Sequence, residues 1–286
     1  MLIKKERFHF AQEEEGQLMV DVTDRVNNRP IDGASVSISY AGDPQDTLEQ
    51  LTTDSNGMTE EIDLAAPPRS YSEYPLSDVQ PYSEYNLIIT APGYEPTTIS
   101  GSEIFSGELS VQPVRLNPVL PNASASVINI PANTLWGVFP PKIPEDEIKP
   151  VRSSGEIVLS RVVIPEYIVV HVGVPSDSSA TDYYVRYADY IKNVASSEIY
   201  STWPEATLRA NITAIMSFTL NRVYTEWYRN KGYDFTITTS TAYDHKWIYG
   251  RNIFDSLSRI VDEIFANYIS RPNVKQPILT QYCDGK

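Results

Sequence analysis

The sequence predicts two domains in series, an all-β sandwich followed by an α+β domain built on a long central helix. Three observations predict it. Between residues 16 and 116, short runs alternate apolar and polar residues and are separated by turn signals, the period of half-buried strands. Residues 118 to 165 are dense in proline. Beyond them, apolar residues recur every three or four positions, the period of helices. At 286 residues the chain has room for two domains of ordinary size. The expected boundaries are 1–117 for the sandwich, 118–162 for a linker and 163–286 for the α+β domain.

The first strand places Leu18, Val20 and Val22 on one face, and after the turn-rich NNRPIDG a second carries Ala34, Val36, Ile38 and Tyr40. TDSNG at 53–57 is another turn signal. YNLIIT (Tyr85–Thr90) is a strand followed by the turn APGYEP, and Leu109, Val111, Val114 and Leu116 suggest a closing strand. The order PIDGASVSI, TTDSNGMTEEIDL, YNLIITAPGYEP resembles the carboxypeptidase regulatory-like or prealbumin-like sandwich, and the resemblance implies a spacer or adhesion unit. Some related surface sandwiches carry a Lys to Asn isopeptide crosslink. No lysine lies between Lys5 and Lys142 here, so none is expected. Between Ala65 and Tyr85 the tetrapeptide YSEY occurs twice, at Tyr71–Tyr74 and Tyr82–Tyr85. It reads either as a tyrosine-rich contact surface or as a long ordered loop whose tyrosines pack on the sandwich.

Pro118, Pro121, Pro131, Pro140, Pro141, Pro144, Pro150 and Pro165 remove backbone donors and fix φ, so this stretch should be an extended linker. Asn122 has the form of a glycosylation acceptor, but with no secretory route in sight the match reads as accidental.

In the second half, EYIVVHVGV (166–174) is a strand in which His171 reads as a structural residue. Tyr187, Tyr190, Ile191, Val194 and Ala195 are spaced as a short helix with Glu198 at its C-terminal end. The negative end of the helix dipole should raise the pKa of that carboxyl. Thr202-Trp203-Pro204-Glu205 fits a capping box, with Thr202 as N-cap and Pro204 in the first turn. From there Leu208, Ile212, Ile215, Met216, Leu220, Val223, Tyr224 and Trp227 form one apolar stripe on a helix of about 27 residues, a rod of ~40 Å. TITTSTAYDHKWIYG should be extended and bring Asp244, His245 and Tyr249 toward the helices. A third helix is expected at Ile253–Ile269, with Asn252 as cap.

Charge narrows the function classes. Residues 1–150 hold 23 acidic and 9 basic side chains and residues 151–286 hold 14 of each, so the net charge of −14 comes from the first half. Such a field repels nucleic acid and anionic lipid. The neutral second half suits an uncharged or mixed-charge polymer. The single cysteine, Cys283, cannot form an intramolecular disulfide, and the three histidines (His9, His171, His245) are far apart, so neither a metal nor another cofactor is expected. No apolar run reaches about 18 residues, and the charged N-terminus is unlike a secretory signal, so cytoplasmic synthesis without a membrane span is expected.

The order DYIKNVASSE, TWPEATLRA, a long helix, YDHKWIYG and an amphipathic helix resembles the SpoIID/LytB family, of the stage II sporulation protein D type, across residues 163–286. The family pattern is roughly YVxGVVxxE, WPxEALKAQAVAARTY, sQxYxG. This resemblance implies a peptidoglycan lytic transglycosylase acting at the spore or cell envelope, with Glu198 as its essential glutamate. Glu198 would protonate the glycosidic oxygen between MurNAc and GlcNAc, then as a base let the C6 hydroxyl close a 1,6-anhydro ring. Because no water is activated, a second carboxylate is dispensable. Glu198 should therefore face a cleft, with Tyr187, Tyr190, Arg209, His245 and Tyr249 lining the glycan groove. Arg209 and Asn211 stand where the family has Lys and Gln, Met216-Ser217-Phe218 where it has RTY, and Trp247 where it has Gln. Family members usually continue beyond the QYCDGK at which this chain ends. Either the natural protein extends past Lys286 or the groove lacks one wall. A non-catalytic reading stays open beside the enzyme: a glycan-binding or structural component of a spore or phage-tail-like assembly, or an enhancer of a partner cell-wall amidase.

Overall fold

Strict alternation of apolar side chains makes the first half β, and in the computed structural model it does so from Glu14 onward. The structure describes residues 14–74, 79–120, 125–133, 135, 139–147, 161–265 and 267–281. His9, Asn122 and Cys283 lie outside the described residues. Strands β1 (Glu14–Asp24), β2 (Ser35–Tyr40), β3 (Thr47–Thr52) and β4 (Ile62–Ala66) precede a one-turn helix, α1 (Ser70–Glu73). Then come β5 (Tyr82–Thr90), β6 (Thr97–Phe105), β7 (Leu109–Leu116) and β8 (Ser126–Asn129). The second half supplies β9 (Tyr167–His171), β10 (Asp182–Arg186), α2 (Tyr187–Glu198), α3 (Glu205–Tyr224), β11 (Ile237–Thr238), β12 (Ile253–Phe254) and α4 (Asp255–Ile264). Among the described residues no helix is long and apolar enough to cross a membrane.

Two compact units result, and the chain passes between them more than once. The first comprises the described part of Met1–Thr134 with Tyr200–Trp203 and Tyr249–Ser256. The second comprises the described parts of Leu135–Ile199, Pro204–Ile248 and Leu257–Lys286.

The first unit is a β-sandwich of two sheets, ordered β12-β7-β1-β4 and β3-β2-β5-β6-β8. Leu18, Val20, Val22, Val36, Ile38, Leu87, Ile89 and Ile99 are completely buried, as the alternation predicts. Gly101 makes the bulge in β6, where the register with β5 slips after Tyr85. Its φ of 90° is in the left-handed region, and a Cβ there would meet the Ile130 carbonyl oxygen at 2.5 Å.

The expected closing strand has a different inner face. In β7 the inward positions are Ser110, Gln112, Val114 and Leu116, while Leu109 and Val111 are only half-buried. Two polar residues face the core because the returning segment 249–256 needs them. Gln112 Nε2 donates to the Gly250 carbonyl at 2.8 Å, and Asn252 Nδ2 lies 3.3 Å from Ser110 Oγ. Asn252 also donates to the Glu103 carbonyl at 2.9 Å. It is therefore an anchor within the sandwich and does not cap a helix at Ile253, because Ile253 and Phe254 pair with β7 as β12.

The two YSEY copies have different fates. The first lies in and after α1, with Tyr74 exposed; the second opens β5, with Tyr82 and Tyr85 buried. The proline-rich stretch is only partly a bare linker. Ser126–Asn129 adds β8 in parallel to β6, and residues 142–147 are bonded within the second unit.

In the second unit a three-stranded sheet, ordered β10-β9-β11, packs against α2, which packs in turn against α3. The long helix is shorter than its apolar spacing suggested, 20 residues instead of about 27. It starts at Glu205 with Pro204 as N-cap and no capping side chain. Thr202 is unavailable as a cap because its hydroxyl donates to Ser72 Oγ at 2.6 Å while Arg69 binds its carbonyl, both inside the first unit. Ile215 to Arg222 are buried without interruption, so the C-terminal half of α3 is enclosed on all sides and has no single apolar stripe. Helix α4 is also short. It buries Leu257, Ile260 and Val261, while Phe265, Tyr268 and Ile269 are partly exposed.

Candidate active site

Three side chains on one side of α2 hold a single downstream segment, residues 245–248. The Tyr190 hydroxyl lies 3.2 Å from His245 Nδ1. Asn193 donates Nδ2 to the Ile248 carbonyl at 2.8 Å and accepts the Ile248 N–H at 3.0 Å. Glu198 Oε1 accepts the Lys246 N–H at 2.6 Å. The extended chain predicted around Asp244 is thus fixed by backbone hydrogen bonds to helix side chains.

Asp244, fully buried, pins the other end of that segment. Its carboxylate accepts from Arg222 Nε at 2.6 Å, the Tyr228 hydroxyl at 2.6 Å, and the Thr238 amide and hydroxyl at 2.9 and 2.7 Å. Arg222 is paired in turn with Glu145 at 2.7 Å and donates to the Tyr243 carbonyl at 3.0 Å. A buried charge is tolerated only when paired and hydrogen-bonded in this way. Lys142 joins from the proline-rich stretch: its Nζ donates to the Asp244 carbonyl at 2.9 Å, and the neighbouring Ile143 N–H donates to the Ala242 carbonyl at 2.8 Å.

Glu198 ends α2, as its sequence position predicts. The residue is partly exposed, but Oε2 is buried and has no hydrogen-bond partner among the described residues. Burial pushes its carboxyl up to about 7, against the opposing pull of the Lys246 N–H and the charges of Lys142 and Lys246. Desolvation is thus the leading cause of the rise. A carboxyl raised from about 4.5 in the unfolded chain to about 7 in the folded one stabilises the fold most below pH 4.5. That contribution is lost as the pH rises through 7, on the order of 3 kcal/mol in all. Glu198→Gln keeps the acceptor for Lys246 and cannot ionise. Denaturant unfolding should find this variant more stable than wild type at pH 8 and about equal to it at pH 4.

The other expected site residues are dispersed. Tyr187 and Tyr190 are buried at 2% and 0% exposure, so in this arrangement neither offers a ring face to a sugar. His245 is buried against Phe218, and desolvation holds it well below the usual histidine range, hence neutral. Arg209 is on the surface of α3, bonded to Glu205 at 2.7 Å and paired with Glu263. Tyr249 belongs to the first unit, where its hydroxyl accepts from Arg25 Nη1 at 2.7 Å. His171, read as structural, is buried with Nδ1 2.7 Å from Asp182 and its ring stacked on Phe235.

A cavity of about 720 Å³ does lie in the second unit, but Glu198 is not on its wall. Its lining includes Glu145, Arg222, Trp227, Lys231, Tyr233 and Tyr243, with Lys231 Nζ 3.3 Å from the centre of the Trp227 ring. Sequence reasoning missed Lys142, Asn193 and Arg222. The latter two could have been noticed as polar side chains within helices otherwise read for apolar spacing. Lys142 left no signal beyond being the first lysine after Lys5.

No family model matches this chain, and no curated protein does. Some solved structures are distantly similar. The TIE protein of Bacillus anthracis is 17% identical with a TM-score of 0.26, over 37% of this chain and 17% of its own. The 5-hydroxyisourate hydrolase of Klebsiella pneumoniae is 20% identical with a TM-score of 0.25, over 36% of this chain and 92% of its own. The minor pilin GBS52 of Streptococcus agalactiae is 17% identical with a TM-score of 0.26, over 40% and 48%. Likeness at this level bears on neither activity nor partner.

Proposed function

We propose that the second unit cleaves peptidoglycan glycan strands by the lytic transglycosylase route, with Glu198 as its single acid and base. The observation that carries this reading is the state of one carboxyl: desolvated, raised to about 7, and with only one oxygen engaged. A general acid works best when its pKa lies near the working pH. Oε1 accepts the Lys246 N–H, so in the neutral acid the proton belongs on Oε2. Passing that proton to the glycosidic oxygen lets the C1–O bond break. The carboxylate left behind then takes the proton of the C6 hydroxyl as the C6 oxygen bonds to C1. The motif resemblance around Glu198 supports the same assignment.

One observation favours a second reading, a non-catalytic glycan-binding or assembly module. The aromatic-lined cavity, with Trp227, Tyr233 and Tyr243, lies away from Glu198. Purified sacculi separate the two. Digestion by wild type that yields 1,6-anhydro-MurNAc ends, lost in Glu198→Gln, supports the enzyme. Retention on sacculi in a pull-down without such products selects the binding module.

A further inference from the structure

The proline-rich stretch brings one lysine into the charged cluster around Glu198. α2 contributes Glu198 and Tyr190, α3 contributes Arg222, the 244–246 segment contributes Asp244, His245 and Lys246, and the proline-rich stretch contributes Lys142 and Glu145. Tyr190 and His245 are held neutral by burial. Arg222 faces two carboxylates, Asp244 and Glu145, and the Lys142 and Lys246 ammoniums add two further positive charges that act on Glu198. The Lys142 ammonium is one of these two and comes from the proline-rich stretch, outside the 244–246 segment. Its hydrogen bond goes to a neutral acceptor, the Asp244 carbonyl, so the bond itself cancels none of its charge. The same short segment gives the Lys246 N–H to Glu198.

We propose that Lys142 is a positioning residue for Glu198: held at the Asp244 carbonyl, its ammonium favours the ionised carboxylate that must take the C6 hydroxyl proton. This rests on the transglycosylase reading, in which the carboxyl has to alternate between neutral and ionised forms. Without the ammonium, ionised Glu198 loses one of the two lysine charges that favour it in a desolvated site. The burial of Lys142 has a matching cost, because desolvation lowers its own pKa while Glu198 and Asp244 raise it.

The test is an NMR titration of the Glu198 side-chain carbon in the full chain, with its signal identified by its absence from Glu198→Gln. Lys142→Gln keeps a donor for the Asp244 carbonyl and removes the charge; Lys142→Met is a second neutral variant; Lys142→Arg keeps the charge. The wild-type midpoint is expected at about 7. It should rise by about 1 pH unit in Lys142→Gln and Lys142→Met and return near the wild-type value in Lys142→Arg. An unmoved midpoint in a folded neutral variant overturns the proposal. Sacculus digestion beside it judges the parent reading separately. A moved midpoint in a protein that forms no anhydro ends would sink the transglycosylase and leave the hold of Lys142 on the carboxyl standing.

Discussion

Glu198→Gln is expected to lower the release of 1,6-anhydro-MurNAc ends from sacculi by about 10²- to 10⁴-fold, the usual contribution of a positioned acid or base. Both halves of the proposed reaction pass through the same carboxyl, so the loss should lie at the upper end of that range. The amide keeps the Lys246 N–H bond that holds the 245–248 segment, and the variant should therefore stay folded. Its circular dichroism and melting profile are to be compared with wild type at pH 8, where it should melt later. Lower activity together with higher stability is the combination expected of a group buried at a cost to the fold for the sake of function.

Arg251→Met is expected to destabilise the sandwich by about 3–5 kcal/mol. Arg251 and Glu103 are both completely buried, and the guanidinium makes a two-pronged contact with the carboxylate, one prong at 3.0 Å. Glu103 Oε1 also accepts the Asn133 N–H at 2.9 Å, while Asn252 binds the Glu103 backbone. Removing the cation leaves a buried anion uncompensated, whereas replacing both partners with apolar residues is far less costly. Denaturant unfolding should therefore show Arg251→Met strongly destabilised and Arg251→Met/Glu103→Leu substantially recovered. A single variant as stable as wild type would contradict the pairing. A protein truncated after Thr134 loses the same cation together with β12, and poor folding of that fragment is a corollary.

The sandwich was largely legible because strand alternation is local: Leu18, Val20, Val22, Val36 and Ile38 had to share a core on period alone. What the alternation could not convey was that Ser110 and Gln112 also face inward. Their partners Gly250 and Asn252 lie more than a hundred residues downstream. The same returning path ends the capping reading at Thr202, whose hydroxyl is claimed by Ser72. It also shortens the third helix, since Ile253 and Phe254 are a strand. At the candidate site, Glu198 was singled out by its motif and its expected place at a helix end, and it does end α2. The residues around it were assigned from the motif resemblance and their position, and the structure buries Tyr187, Tyr190 and His245. Lys142 and Arg222 reach Asp244 through long-range contacts, for which a single sequence holds no period.

The central claim, that Glu198 gives up a proton near neutral pH, is tested most directly by the pH dependence of anhydro-end release by the wild-type protein. The neutral carboxyl is the active form in the first proton transfer. Release should hold steady below pH 7, then fall about tenfold per pH unit as the pH rises past about 7. Release that climbs through pH 7 to an alkaline plateau, or sacculi left intact at every pH, would contradict it.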